Sequence, residues 1–169
     1  VPATSDPAMT SPPSFLNGRI RPIWEDLAQA SPPEPSAVSP VPKVVDRWLS
    51  RVAPGTSSSL SGVCLSMHGE IRIGRWRPFR ADQILTPRGF IWAARAGHGL
   101  MTVRGHDMYF EAAGEMDWRL LGVVPVMSQS DDDVARSAAG RFAGELLVFS
   151  PFNARSAMVS WLETTPTTA

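Results

Sequence analysis

One stretch constrains the fold of this chain more than any other: residues 74–122, which hold GRWRPFRADQ, FIWAARAG and GHDMYFEAAGEMDWRLLG in that order. Trp76, Trp92 and Trp118 lie in it, with Phe79, Phe90, Phe110 and the one tyrosine, Tyr109. Aromatic side chains suit a pleated, half-buried surface, and glycines at short intervals mark the turns between such segments. The stretch therefore predicts several antiparallel strands in succession.

Alternation places the strands. In 62–73, Val63, Leu65 and Met67 share a face, and Ile71 and Ile73 follow Gly69, where a bulge or break is expected. Residues 75–82 read as a further strand or an edge, because Pro78 cannot donate to a ladder. Period two there sets Arg75 and Arg77 outward and Trp76 inward. Phe90, Trp92 and Ala94 share a face of 89–96. In 100–110, Met101, Val103, Asp107 and Tyr109 have one parity, and Arg104, His106, Met108 and Phe110 the other. Both faces are thus partly apolar, as in a curved sheet whose concave side is covered. Met116, Trp118 and Leu120 line up in 115–121, and 123–127 makes a strand interrupted by Pro125.

The period changes on either side of the strands. In 41–53, Val45, Trp48, Leu49 and Val52 recur at helical spacing, with Pro40 and Pro42 before them and Pro54-Gly55 after. A Ser-rich loop follows at 56–61. In 131–149, Val134, Ala138, Phe142, Leu146 and Phe149 form an apolar stripe. Ser130 is the expected N-cap, the three following aspartates suit the positive helix end, and Pro151 stops the helix. A last strand is expected over 156–163, before a polar tail at 164–169.

Residues 1–42 hold ten of the sixteen prolines. Such a segment buries too little apolar surface to offset its ordering entropy, and it reads as an extended arm. Its exception is 14–30, with Phe15, Ile23, Trp24 and Leu27 and a short helix expected with Pro22 in its first turn. Two readings compete for this patch: it folds back on its own domain, or it docks on a partner protein or membrane surface. The domain division is an arm at 1–42 and a β-rich domain at 43–169.

Composition excludes some classes. Formal net charge is zero, and no run of about twenty apolar residues could cross a membrane. No basic-then-apolar leader opens the chain, which begins at Val1 as a processed or cut product does. Seven arginines face one acid, Asp82, within 71–104, and Arg75-Trp76-Arg77-Pro78-Phe79-Arg80 interleaves cations with aromatics. A nucleic-acid module would carry a broader basic excess, so nucleic acid is not the expected partner. The lone Cys64 excludes an intrachain disulfide and a cysteine-based zinc site, and it reads as a buried, inert thiol.

The order GRWRPFRADQ, FIWAARAG, GHDMYFEAAGEMDWRLLG, RFAGELLVFSP and a late SWLE resembles an uncharacterised bacterial family, catalogued as a domain of unknown function, over roughly 43–163. The resemblance implies a shape similar to the half-open β-barrel of lipoprotein-carrier and lipid-binding proteins, with a helix in its concavity. Members of the family usually continue with more strands, so this chain looks shortened at its C-terminus and a closed barrel is not expected. The family carries no catalytic role over. Gln83, Asp107, Arg141 and Glu145 match its polar motif positions.

The chemistry-bearing residues are few. His68, His98 and His106 lack metal-site spacing, although His98 and His106 could approach across a hairpin; a turn or surface histidine and no metal or cofactor is the expectation. Asp107 lies among apolar neighbours and needs a cation. Arg141, one helical turn before Glu145, is the expected partner. The resulting cluster is read as a clamp between helix and sheet, or as the polar spot of a binding pocket that includes Gln83 and Trp92. An enzyme using Asp107 and His106 would need a cleft joining them to Arg141, and no nucleophile elbow, HExxH or phosphate loop supports one. The fold class is therefore α+β, a curved antiparallel half-barrel-like sheet with one amphipathic helix packed on it and an extended arm. The expected function is non-enzymatic binding of an apolar small molecule, a lipid or a partner protein. The alternative is an accessory subunit of a larger assembly, soluble or peripheral to a membrane, anchored through its arm.

Overall fold

The computed structural model describes residues 11–30, 40–52, 62–156 and 159–162. Residues 1–10 and 31–39 of the Pro-rich arm, the Ser-rich loop and the polar tail lie outside these residues. Six strands form one antiparallel sheet in sequence order: β1 (Val63–Ile73), β2 (Arg75–Thr86), β3 (Gly89–Ala96), β4 (Val103–Phe110), β5 (Ala113–Leu120) and β6 (Val124–Gln129). Helices α1 (Ile20–Ala28) and α2 (Lys43–Val52) precede the sheet, and α3 (Asp132–Phe149) follows it. The sheet is open, and the chain is an α+β protein with a curved antiparallel sheet, as its alternation predicts.

The central strands are apolar on both faces because a helix covers each face. On one, Ile84, Ile91, Ala93 and Met108 bury against Leu16, Ile20, Trp24 and Leu27. On the other, Leu85 and Phe90 bury against Leu146, with Tyr109 and Phe142 beside them. Gly114 lets α3 lie directly on β5, since a Cβ there would stand 2.5 Å from the Ala135 Cα. A third, smaller cluster joins α2 to the outer side of α3: Val45 and Leu49 enclose Ala154 of a 3-10 turn, with Leu147 and Trp161 at its edge.

The 14–30 segment folds back. Trp24 is completely buried, as are Ile20 and Leu27, and Phe15 and Ile23 pack against the same core. These side chains are thus turned into their own domain and not toward a partner, and the core includes residues before the division placed at 42/43. The physical reason is the second apolar face of β2–β4, which must be covered somewhere. The helix starts at Ile20, where the Asn17 side chain accepts from the N–H groups of Arg19 and Ile20, both at 3.0 Å. Pro22 then occupies the first turn, where a missing donor costs nothing.

Five further expectations change. The β1–β2 ladder runs without a break past Gly69, and the irregularity falls instead between Trp118 and Arg119 against β6. Pro78 sits inside β2, one residue beyond the end of the β3 ladder, where the Gly97 N–H reaches the Pro78 carbonyl at 2.9 Å and no donor is needed from Pro78. Asp131, not Ser130, caps α3, accepting from the Val134 N–H at 2.9 Å. Among the described residues within 156–163, which are 156 and 159–162, no strand forms; the chain makes a 3-10 turn at Pro151–Arg155, and the Trp161 indole donates to the Ala154 carbonyl. The Phe149 end of the α3 stripe is exposed, because the helix has by then run past the sheet.

Candidate functional site

Successive strand residues point to opposite faces, so His106 and Asp107 of β4 stand back to back and each gathers its own partners. On the α3 face, Asp107 Oδ2 accepts from Arg141 Nη1 at 3.1 Å and Oδ1 from the Trp118 indole at 2.8 Å. Arg141 also donates through Nε to Glu145 Oε1 at 2.8 Å, one helical turn on, and Gln83 Nε2 donates to Glu145 Oε2 at 2.5 Å. The guanidinium lies 4.8 Å over the Phe90 ring and 5.2 Å over Trp92. All five residues singled out in the sequence, Gln83, Trp92, Asp107, Arg141 and Glu145, therefore meet in one place. Burial pushes the Asp107 carboxyl above its ordinary value, while Trp118 and Arg141 hold it back only in part.

The network borders two apolar features. Toward the start of α3, a cavity of about 360 Å³ opens between the helix and β4–β6, walled by Phe90, Met116, Val134 and Ala138, bordered by Glu115, Gln129, Asp131, Asp133 and Ser137, and reaching Asp107 and Arg141. Toward the other end, Phe79, Trp92 and Trp118 form a tilted row across β2, β3 and β5, with ring centres 6.4 and 5.6 Å apart. Gly105 is required there: a Cβ on it would stand 2.6 Å from the Trp118 ring. The Trp92 indole donates to the Met67 sulfur at 3.3 Å.

On the α1 face, His106 is 3% exposed and its Nε2 lies 3.2 Å from Glu115 Oε1, which also takes the Arg19 guanidinium. Asp117 next to it accepts from Arg119 at 3.0 Å. Burial lowers the His106 imidazole below its ordinary value against the pull of Glu115. Burial also pushes Glu115 up, but hydrogen bonds and charge from Arg19 and His106 reverse this and leave its carboxyl below the ordinary value.

This geometry corrects three expectations. His106 is a core residue, not a turn residue, and exposed His98 in the β3–β4 connection does not approach it. Among the described residues no group of three or more His, Cys, Asp or Glu could hold a metal ion. No single cleft can join His106, Asp107 and Arg141, since the sheet separates the first from the other two. Cys64 is half-buried against the α1 core, and burial pushes its thiol up. Trp118, Phe90, Arg19 and Glu115 were missed. Trp118 depends on the two-residue turn at Glu111-Ala112, which pairs Asp107 with Met116 and so puts Trp118 on the same face one diagonal step away, but neither turn residue is one that marks such a turn in a sequence.

No helix among the described residues is long and apolar enough to cross a membrane. The chain belongs to a family of unknown function, DUF6920, whose model matches residues 39–169. Helix α1 lies outside that match although it fills one face of the core. No curated protein and no solved structure matches the chain.

Proposed function

We propose that this member of the family is a binding domain and not an enzyme, and that it takes a small, largely apolar molecule between α3 and the sheet. The cavity of about 360 Å³ carries the reading. Its size falls within the roughly 300–1,000 Å³ of small-molecule sites. Phe90, Met116, Val134 and Ala138 give it an apolar wall beside the polar Glu115, Gln129, Asp131, Asp133 and Ser137, and its polar floor, Asp107 and Arg141, is already satisfied internally. Such a floor orients a ligand through a spare lone pair or N–H and leaves no activated group for chemistry. The test is titration with N-phenyl-1-naphthylamine, a neutral apolar probe, read by probe emission and by quenching of Trp92 and Trp118. Saturable binding that Ala138→Trp abolishes, with circular dichroism unchanged, is expected. Binding that Ala138→Trp leaves intact overturns the reading.

A partner protein remains the second reading, and it moves from the N-terminal arm to β6. This strand has no neighbour on its outer side among the described residues and exposes Val124, Val126 and Met127. An added strand would pair with that edge. Association that survives Val124→Lys with Val126→Pro would remove it.

A further inference from the structure

In a six-stranded meander the β1–β2, β3–β4 and β5–β6 connections share one end. Hydrogen bonds tie them together there: Gly97 N–H to the Pro78 carbonyl, and Leu121 N–H to the Thr102 carbonyl at 2.7 Å. Both helices that face the sheet lie toward the other end. At the uncovered end the connections present Ile73, Trp76, Leu100, Met101, Leu121 and Val123, all exposed. Trp76, expected inward, is 65% exposed. Leu100 and Val123 are 80% and 72% exposed. A bulky Leu121 is even held at φ 54°, a conformation it adopts at a cost.

The register places something unusual beside these tips. Arg80 pairs with Arg95, Arg95 with Arg104, and Arg104 with Arg119. Four arginines thus stand side by side across β2–β5 on the α1 face, beyond the end of α1. At about 4.8 Å per strand the row is about 14 Å long. Like charges directly opposite one another destabilise a sheet. Only Arg119 has an acid partner; Arg80, Arg95 and Arg104 form no ion pair among the described residues. Counting 67–80, 94–104 and 118–127, this end carries seven arginines against one acid, Glu70, leaving nine basic and fifteen acidic residues in the rest of the chain. The molecule is neutral only as a sum of two oppositely charged parts.

We infer that this end docks on an anionic lipid surface. Arg95, Arg104 and Arg119 lie two residues, about 7 Å, in from their tips. Apolar tips seated about 5–10 Å below the headgroups would therefore set the arginine row level with the phosphates. A nucleic acid would use the same charge, but of the six exposed apolar side chains only Trp76 offers its bases a ring to stack on. This inference does not rest on the cavity between α3 and the sheet.

The experiment is flotation of the full chain with phosphatidylcholine vesicles, with and without phosphatidylglycerol. Binding only to the anionic vesicles, weakened by added salt, is expected. Arg95→Glu with Arg104→Glu should weaken it at least about thirtyfold, at roughly fivefold per neutralised arginine. Leu100→Ser with Val123→Ser should leave only a weaker and more salt-sensitive association. Both pairs lie at exposed positions, and an unchanged melting transition confirms that they fold. Failure to float with anionic vesicles, equal binding to neutral ones, or indifference to the double reversal overturns the inference. So does selective retention of an oligonucleotide by a chain that leaves the vesicles alone.

Discussion

Asp107 and Arg141 hold each other in a setting where neither would rest alone. The carboxylate is 17% exposed and the guanidinium 31%, and the pair bridges β4 to α3. Arg141→Met keeps the stem that lies over Phe90 and removes the charge, leaving Asp107 with only the Trp118 donor. A loss of about 2 kcal/mol is expected, since stranding one buried partner costs more than the pair contributes. Denaturant unfolding at unchanged slope measures it. Adding Asp107→Leu should then restore stability rather than double the loss.

His106 gives a second expectation at the same scale. Its imidazole is held below the ordinary 6.5, so below that value the unfolded chain binds more protons and stability falls as pH drops. Glu115 is held below its ordinary 4.5, so its contribution is complete above that value and is lost as pH falls through the folded value. Asp107, held above 3.8, acts in the opposite sense, its penalty easing on acidification. The melting temperature should therefore decline in two stages, the first beginning below about pH 6.5 and the second below about pH 4.5. His106→Gln should remove the earlier one; an unchanged profile in that variant would defeat the assignment.

Among the elements, the hairpins show where local sequence and observed geometry disagree. Glu111 and Ala112 make the two-residue β4–β5 turn with φ of 50° and 64°. Asparagine and glycine favour such a turn, and other residues resist it. Glu111→Asn with Ala112→Gly should stabilise the protein by about 1 kcal/mol with the register unchanged, visible as a raised unfolding midpoint. The pairing of β4 with β5 overrides the local preference, which is why alternation in 100–121 could be read while the turn carried no signal. Helices α2 and α3 were equally legible, through their apolar stripes and the prolines that bound them. The Pro78 position was not, because its tolerance depends on where β3 ends, and that is a fact about a neighbouring strand.

For the whole molecule, the decisive contact is α1 on β2 and β3. A chain starting at residue 31 retains the whole stretch that matches the family, yet it leaves Ile84, Ile91, Ala93 and Met108 without their cover. It should lose its cooperative melting transition and bind a hydrophobic dye, as a packed domain stripped of one face does. A sharp transition near that of the full chain would show that α1 is dispensable. The polar cluster on the α3 face was legible because an unpaired carboxylate in an apolar strand demands a cation and α3 offered one. The cluster on the α1 face was not, because Arg19 and Glu115 are far apart in the chain and each looks solvated by itself.

By itself the sequence determined the strands, both flanking helices and the Asp107–Arg141–Glu145 association, since period, caps and charge pairing act over a few residues. Tertiary structure alone decided that Trp24 is core and Trp76 surface, that His106 and Asp107 face apart, and that four arginines stand in one row. Each of these follows from strand register and from what covers each face. Those depend on residues distant in the chain, and no local pattern encodes them.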